Sequence, residues 1–433
     1  MPLTDHARYI QAEIFRVLQL DAQIDDQSGR TLTGQTSPVV RVLPTSEAEV
    51  SALLRFAYEQ QWRVMPLGAQ TQVQLGRKSD PIDIVLSLER LNRVLEYSPT
   101  DMTIVVESGL SLAALQDTVR VHGQMLPFDP ICDQRATVGG LVATNASGPS
   151  RALYGSLRDL VIGLTVIYPD GQVIRTGGKV VKNVAGYDMT KLFIGSLGTL
   201  AVITQIVCKL KPRPARSDVV LLRGQSADIK TFLKTLADSE TVLSRVELMT
   251  GAALTESDEY LFALGCDEDV AAADIQANEI QALSASHHLH FIRGLATAAD
   301  EFWNEYQGQL VVASTVIRLT CPSTEMISIA EKIHRRIVLE PFSALSMTVT
   351  VGILRVFLRD QSEKSTLEIL QLCRDLAGRV KGTAVIEKAL PISQESFDPF
   401  GPVPSSIKVL LDEIKQTIDQ RRILSPGRFA GGI

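Results

Sequence analysis

Cysteine is scarce in this 433-residue chain. Cys132, Cys208, Cys266, Cys321 and Cys373 stand far apart and no CxxC pair occurs, so neither a zinc knuckle nor an iron–sulfur cluster can be assembled from local ligands. An odd, sparse set of thiols points to a reducing, cytoplasmic setting. Uninterrupted apolar runs are missing too. The longest uncharged stretch, residues 192–208, holds Gly195, Ser196, Gly198, Thr199, Thr204 and Gln205, and reads as a buried loop and strand rather than a membrane span. Asp5, Arg8, Glu13 and Arg16 break the apolar periodicity of the N-terminus, which excludes a secretory signal there. Positive charge is not in excess. Forty-three Lys and Arg against forty-nine Asp and Glu give a net charge of −6, the wrong sign for a protein that grips phosphate backbones, so nucleic acid is not an expected partner.

What is present is ordinary core material, 45% hydrophobic and 21% charged, in a length that fits two or three domains. Ile10, Ile14, Val17 and Leu18 form an apolar stripe on a helix over residues 5–20. Residues 39–43 read as a strand. Ser46 and Glu49 form a capping box that opens a helix with Val50, Leu53, Leu54 and Ala57 on one face, and residues 63–67 make the next strand. Strand, helix and strand with short joints give a parallel crossover. Residues 84–88 and 103–107 are further strands, residues 111–122 a helix, and residues 161–168 and 172–175 an antiparallel pair around Pro169, Asp170 and Gly171. The proline-punctuated stretch KLKPRPAR, residues 209–216, marks a boundary. Beyond it strands alternate with helices such as 228–237 and 323–336, and a last helix over 406–421 precedes a Pro426-Gly427 turn. No internal repeat is visible.

Three stretches carry glycine. Residues 66–76, PLGAQTQVQLG, follow a strand but contain no lysine, which excludes a P-loop, and no helix follows the turn, which excludes the Rossmann fingerprint. The stretch is either a surface turn or a nest of backbone N–H groups for an anion, with Gly68 and Gly76 supplying unusual dihedrals and Thr71 a hydroxyl. Residues 137–148, TVGGLVATNASG, avoid bulk and place Gly139 and Gly140 side by side. Residues 191–204, KLFIGSLGTLAVIT, add a glycine pair before an uncharged strand able to line a planar ring. Each alone is compatible with core packing; together they point to one site.

At these residues the chain resembles the FAD-binding superfamily of vanillyl-alcohol oxidase and p-cresol methylhydroxylase. More narrowly, residues 177–204 (GGKVVKNVAGYDMTKLFIGSLGTLAVIT), 148–163 (GPSRALYGSLRDLVIG), 123–127 (GQMLP) and 425–428 (SPGR) resemble the FAD-binding subunit of bacterial glycolate oxidase. The resemblance is dense over residues 38–214 and thin at the C-terminus. It implies an α+β fold: a two-subdomain PCMH-type FAD-binding domain over residues 35–214 behind an N-terminal helical extension (1–34), a second α+β cap domain over 215–395, and a C-terminal helix and tail, 396–433, packed back on the FAD domain. It implies FAD held by Pro66, Leu67, Gly68, Ala69, Gln70, Thr71, Gln72 and Gly76, by Pro130, and by Thr137, Val138, Gly139, Gly140, Ala143, Thr144, Asn145, Ser147 and Gly148. Tyr154, Gly155, Gly195, Leu200, Val202, Ile203 and Arg428 complete the expected set. Gly-Ala-Gln replaces a more glycine-rich start of the loop, and Leu197 stands where many relatives carry Glu, an acid the glycolate oxidase branch also lacks. Neither His nor Cys occurs within residues 66–76 and Cys132 is offset from the glycine pair, so the flavin is expected to be non-covalent.

Oxidising a 2-hydroxy acid at a flavin requires a cation for the carboxylate and a base for the hydroxyl proton. The metal-binding GDGN-with-His pattern of D-lactate and D-2-hydroxyglutarate dehydrogenases is missing, and His287, His288 and His290 have no acid at ligand spacing, so no metal is expected. Arg318 and Arg355 lie in strand-like runs and are either anion binders or structural. Arg428 is either a partner of reduced flavin or a C-terminal lock. Lys182, Asn183, Tyr187 and Asp188 position the flavin, face another subunit or shape a turn. No catalytic residue is assigned. The resemblance implies an FAD-bearing subunit of a glycolate dehydrogenase, oxidising glycolate or D-lactate beside a paralogous flavin subunit and an iron–sulfur subunit, cytoplasmic or peripheral to the inner face of the membrane through those partners. The alternatives are a self-sufficient dehydrogenase and an assembly subunit with structural or no flavin.

Overall fold

The N-terminal helix forms as α1 (Leu3–Leu18) and buries Ala7, Ile10 and Ile14. Val17 departs from the expected stripe: it is 43% exposed, because the buried face runs through positions 7, 10 and 14 and turns position 17 outward. The computed structural model describes residues 3–179, 186–251, 259–338, 340, 342–389 and 397–433.

The first sheet joins β1 (Ala22–Asp25), β2 (Val39–Val42), β3 (Val64–Leu67) and β4 (Ile84–Ser87) in the order β1-β2-β4-β3. The expected crossover is there, with β2 and β3 both parallel to β4, which lies between them. Helix α2 (Glu47–Gln60) makes the connection and buries Val50, Leu53, Leu54 and Ala57 completely. Only half of its capping box closes: the Ser46 hydroxyl accepts from the Glu49 amide, but the Glu49 carboxylate turns to the Thr45 amide and hydroxyl. Pairing of β1 with β2 builds residues 22–25 into this sheet.

The second sheet is antiparallel throughout, with β5 (Val94–Ser98), β6 (Thr103–Glu107), β7 (Val161–Ile167), β8 (Val173–Gly177) and β9 (Val202–Lys209) in the order β5-β6-β9-β7-β8. Its helices are α3 (Leu112–Arg120) and the short α4 (Val138–Thr144). Ile167 and Val202 reach into the core of the first sheet and weld the two layers.

The third sheet has eight antiparallel strands. Its elements are β10 (Arg216–Gly224), α5 (Ser226–Ala237), β11 (Arg245–Thr250), β12 (Tyr260–Glu268), α6 (Val270–Ala285) and β13 (His290–Gly294). After α7 (Ala296–Val311) come β14 (Thr315–Thr320), α8 (Ser323–Ile337), β15 (Ser343–Thr348), β16 (Ile353–Leu358), α9 (Glu363–Arg379) and β17 (Thr383–Lys388). The order β13-β10-β12-β11-β15-β16-β14-β17 resolves into two βαββαβ halves joined edge to edge at β11 and β15. This structural repeat left no trace in the sequence. Helices α5, α6, α8 and α9 cover one face of the sheet, while α7 and part of the flavin-domain surface cover the other. Across that contact the Arg245 guanidinium donates to Asp129 at 2.9 Å.

Helix α10 (Ser405–Ile418) carries a buried lysine, Lys415, whose ammonium donates to Asp419 and to the carbonyls of Thr199 and Leu424. The bonds to Asp419 and Leu424 fold the tail on itself, and the one to Thr199 ties it to the turn before β9. The tail then runs beside β3 through a Val64–Leu424 bridge. Among the described residues no helix is long and apolar enough to cross a membrane.

Candidate functional site

Residues 68–76 leave the end of β3 as a loop of bends, and glycine is required there for two different reasons. A Cβ on Gly68 would lie 2.1 Å from the Thr137 hydroxyl, so Gly68 serves close approach, whereas Gly76 has φ +96°. The second unusual dihedral expected of Gly68 belongs instead to Gln70, at φ +59°. The amides of Gly68, Ala69, Gln70, Thr71 and Gln72 donate to no other group among the described residues. Main-chain N–H groups without partners require a ligand or water, and a row of them is an anion cradle.

The N-terminus of α4, facing this loop, is by contrast used up. Val138 N–H donates to Leu110 O, Gly139 N–H to Ser108 O and Gly140 N–H to the Thr137 hydroxyl. Gly139 is a packing glycine: a Cβ there would sit 2.5 Å from that of Ser108.

The loop walls a narrow cavity of about 100 Å³. Pro66, Leu67, Gly68, Ala69, Gln70, Thr71, Gln72, Thr137, Gly139, Gly140, Ala143, Thr144, Ile203 and Arg428 line it, as do Val73, Leu197, Gly198 and Ala201 from the stretches the sequence singles out, and Leu88 and Ser108, which sequence reasoning missed. Leu197 holds φ +54°, a left-handed conformation that costs a branched residue about 1–2 kcal/mol. Its amide bonds to Ala143 O and fixes the strained turn against α4. Arg428 is 7% exposed and donates to the carbonyls of Val73 and Leu75. No carboxylate pairs with it among the described residues, and burial lowers its pKa to about 10.

A second cavity of about 420 Å³ adjoins the first, sharing Gln70, Thr71, Gln72, Val73 and Thr144 as lining. It takes Pro130, Asn145 and Ser147 from the expected set, and its far wall is the third sheet. Arg318 and Arg355 meet there as direct partners across β14 and β16, and Glu387 bridges them, accepting at 2.7 Å from Arg318 Nε and 2.8 Å from Arg355 Nε. Register slips between Val316 and Ile317 where β14 meets β17, and this bulge leaves both Glu387 and Lys388 on the cavity wall. Burial works to raise the Glu387 pKa, but the two guanidiniums outweigh it and hold it below the ordinary carboxylate range. Arg151, from the quoted GPSRALYG stretch, completes the wall; burial lowers its pKa first, and repulsion by Arg318 and Arg355 adds to that. Arg135, Asp133 and Lys388 line the cavity as well; Arg135 pairs with Asp133, which leaves Arg151, Arg318 and Arg355 around Glu387. Burial pushes the Cys132 thiol, also on this wall, up to about 12 and keeps it neutral.

The remaining expected residues line neither cavity. Val138 and Leu200 pack in the core of the second sheet and Val202 in that of the first. Gly148 is pressed on Asp129 O, where a Cβ would lie at 1.8 Å, Gly195 abuts Asn145, and Gly155 closes a short helical turn. Gly76 abuts Leu197 and the Arg428 carbonyl behind the loop. Tyr154 turns away to donate to Asp267 at 3.3 Å. His287 lies between the Thr231 and Thr235 hydroxyls with its ring edge-on to Phe232. Tyr187 is exposed, Asp188 accepts from the Thr190 amide, and Lys182 and Asn183 lie outside the described residues.

Comparison with known proteins bears on the domain and the fold that carry these cavities. Residues 38–177 match the FAD binding domain family. The chain is 33% identical over 260 residues to D-2-hydroxyglutarate dehydrogenase of Xanthomonas citri pv. viticola, covering 58% of this chain and 54% of that one. It is 34% identical over 194 residues to glycolate oxidase subunit GlcD of Bacillus subtilis, covering 45% of this chain and 41% of the relative. The matched region therefore spans about half or less of these relatives' length. The structure of p-cresol methylhydroxylase with substrate bound superimposes with a TM-score of 0.75 over 99% of this chain and 97% of that one, at 13% identity, and so shares the fold. Residues 38–177 are an FAD-binding domain on a PCMH-type fold.

Proposed function

We propose that this chain is an FAD-dependent dehydrogenase subunit that oxidises a small 2-hydroxy acid, such as glycolate or D-lactate, to the 2-oxo acid. The observation that carries the reading is the adjacency of the two cavities: a loop of amides unpartnered among the described residues, with a buried arginine that no described carboxylate pairs, shares its lining with a chamber where Arg151, Arg318 and Arg355 surround Glu387. The amides of residues 68–72 and Arg428 fit the diphosphate and the electron-rich edge of a flavin, and Gly140 and Ala143 leave room beside them. When bound, FAD supplies the hydride acceptor. Arg318, Arg355 and Arg151 hold the substrate carboxylate, and Glu387 keeps the first two aligned as a fork. Apolar Ile353, Phe357 and Leu310 close the chamber around the reacting carbon and restrict water. The flavin is dissociable, since the one cysteine on the wall is a neutral thiol.

One relative is named a glycolate oxidase subunit, which supports reading this chain as part of a complex; in that reading its electrons pass onward to a paralogous flavin subunit and an iron–sulfur subunit. The test is the visible spectrum of the purified chain during anaerobic addition of glycolate or D-lactate. Bleaching that requires partner subunits supports this reading; bleaching of the chain alone makes it a self-sufficient dehydrogenase. A colourless chain that resists reconstitution with FAD overturns it.

A further inference from the structure

Deep in the third sheet, at the seam where its two βαββαβ halves join, lies an acid that no step above uses. Glu247 on β11 is 1% exposed. Its Oε2 accepts from the Ser346 hydroxyl at 2.6 Å and from the Tyr306 hydroxyl at 3.2 Å, and those two hydroxyls lie 2.7 Å apart. No arginine or lysine forms an ion pair with it among the described residues, although three hydroxyls, those of Ser346, Thr348 and Tyr306, face it. A carboxyl group in such a place needs an explanation, because burying a charge without a partner costs several kcal/mol, roughly as much as breaking a buried pair.

The register supplies one. Glu247 pairs with Thr348 across β11 and β15, Ser346 pairs with Arg355 across β15 and β16, and Arg355 pairs with Arg318 across β16 and β14. Directly paired residues share a sheet face, and so do residues two apart on one strand. A polar row therefore crosses the otherwise apolar face under α7, from Glu247 through Ser346 to Arg355, Glu387 and Arg318. Its inner end is the buried acid. Its outer end is the wall of the larger cavity.

We infer that Glu247 is a positioning residue for the carboxylate chamber, its proton state setting how much of the Arg355 charge is free to attract an anion. The inference rests on the reading of that chamber as the carboxylate site. Neutral Glu247 leaves Arg355 balanced by Glu387 alone; ionised Glu247 adds a second anion behind the same guanidinium. Burial raises the Glu247 pKa to about 7, against the hydroxyls of Ser346, Thr348 and Tyr306 and the charge of Arg355, all of which lower it. The change of state thus falls near neutral pH. The groups facing Glu247 are Ser346 and Thr348 from β15, Tyr306 from α7 and Arg355 from β16; Arg245, two residues earlier on its own strand, is committed to Asp129 and Asp267. The Tyr306 phenol is held well above its ordinary value, first by burial and then by Glu247, and stays protonated throughout.

The sign follows from linkage. As pH rises through about 7, Glu247 loses its proton and affinity for a carboxylate falls; reciprocally, a bound carboxylate releases Arg355 from the acid and raises the Glu247 pKa. The probe is oxalate, a carboxylate without a transferable hydride, titrated into the FAD-loaded protein and followed through the flavin spectrum. Wild type should lose about fivefold in affinity between about pH 6 and pH 8.5, the low end of couplings between sites. Glu247→Gln, an isostere that cannot ionise, should show a flat profile. Tyr306→Phe removes a donor to the carboxylate and should shift the fall to higher pH, which gives a second readout if the glutamine variant folds poorly. An unchanged slope in Glu247→Gln, or an unmoved midpoint in Tyr306→Phe, overturns the inference while the carboxylate chamber stands. Oxalate that binds none of the proteins at any pH, with flavin in place, overturns the chamber reading and the inference together.

Discussion

The two adjoining cavities are made of different materials. The narrow one is built largely by main chain, bends, small residues and amides of residues 66–76 and 137–144, with one charged side chain among its described lining, Arg428, delivered from the tail. The wide one is built by long charged side chains from the sheet, Arg318, Arg355, Glu387 and Lys388, with Arg151 opposite. In the proposed function the first fits a constant feature of any dinucleotide, its diphosphate, and the second selects the small molecule that meets the flavin. Substitutions should therefore separate cleanly, cofactor affinity responding to one set and substrate affinity to the other.

The largest effect is expected at Lys415. Lys415→Met leaves Asp419 buried without its cation and releases the Thr199 and Leu424 carbonyls, which should cost about 3–5 kcal/mol in denaturant unfolding. FAD affinity should drop with it, because the tail that carries Arg428 loosens.

Arg428→Met should weaken FAD binding about 100-fold by equilibrium dialysis, roughly 3 kcal/mol for charge-assisted bonds in a buried site, without altering secondary structure. Gly68→Ala should also act on the cofactor, since its Cβ would meet the Thr137 hydroxyl at 2.1 Å. A loss of about 2 kcal/mol in stability is expected there, with weakened flavin retention.

Arg318→Met sharpens the contrast from the other side: the KM for the hydroxy acid should rise about tenfold while FAD affinity stays within about twofold. A matching loss of FAD affinity would show the two cavities to be one energetic unit. The smallest effect is expected at Cys132→Ser, which should leave all flavin releasable by acid, as in wild type.

How much of this was legible in the sequence follows the same division. The Ser46 cap, the apolar face of α2 and the antiparallel pair around Gly171 depend on neighbours a few residues apart, and local chemistry fixed them. The glycine stretches were legible for the same reason, although Gly68 serves packing rather than the unusual dihedral expected of it. Arg318 and Arg355 stood out by type alone, since their pairing depends on the register of β14 with β16. Glu387 gave no signal, because its place is set by a bulge against a strand more than sixty residues away. Tyr154 misled: it sits in a stretch that resembles a cofactor site, but Asp267 from the third sheet captures its hydroxyl. Lys415 gave no signal in the sequence, because its burial depends on the Thr199 carbonyl, more than two hundred residues away.

The central claim is that the free amides of residues 68–72 hold the diphosphate, while the spent N-terminus of α4 does not. Amide hydrogen exchange of the apoprotein and the FAD-loaded protein tests it at residue resolution. The amides of Gly68, Ala69, Gln70, Thr71 and Gln72, unbonded among the described residues, should exchange fast without FAD and become protected with it, while Val138, Gly139 and Gly140, already bonded, change little. Protection that appears at residues 138–140 and leaves residues 68–72 exchanging as before would contradict the account.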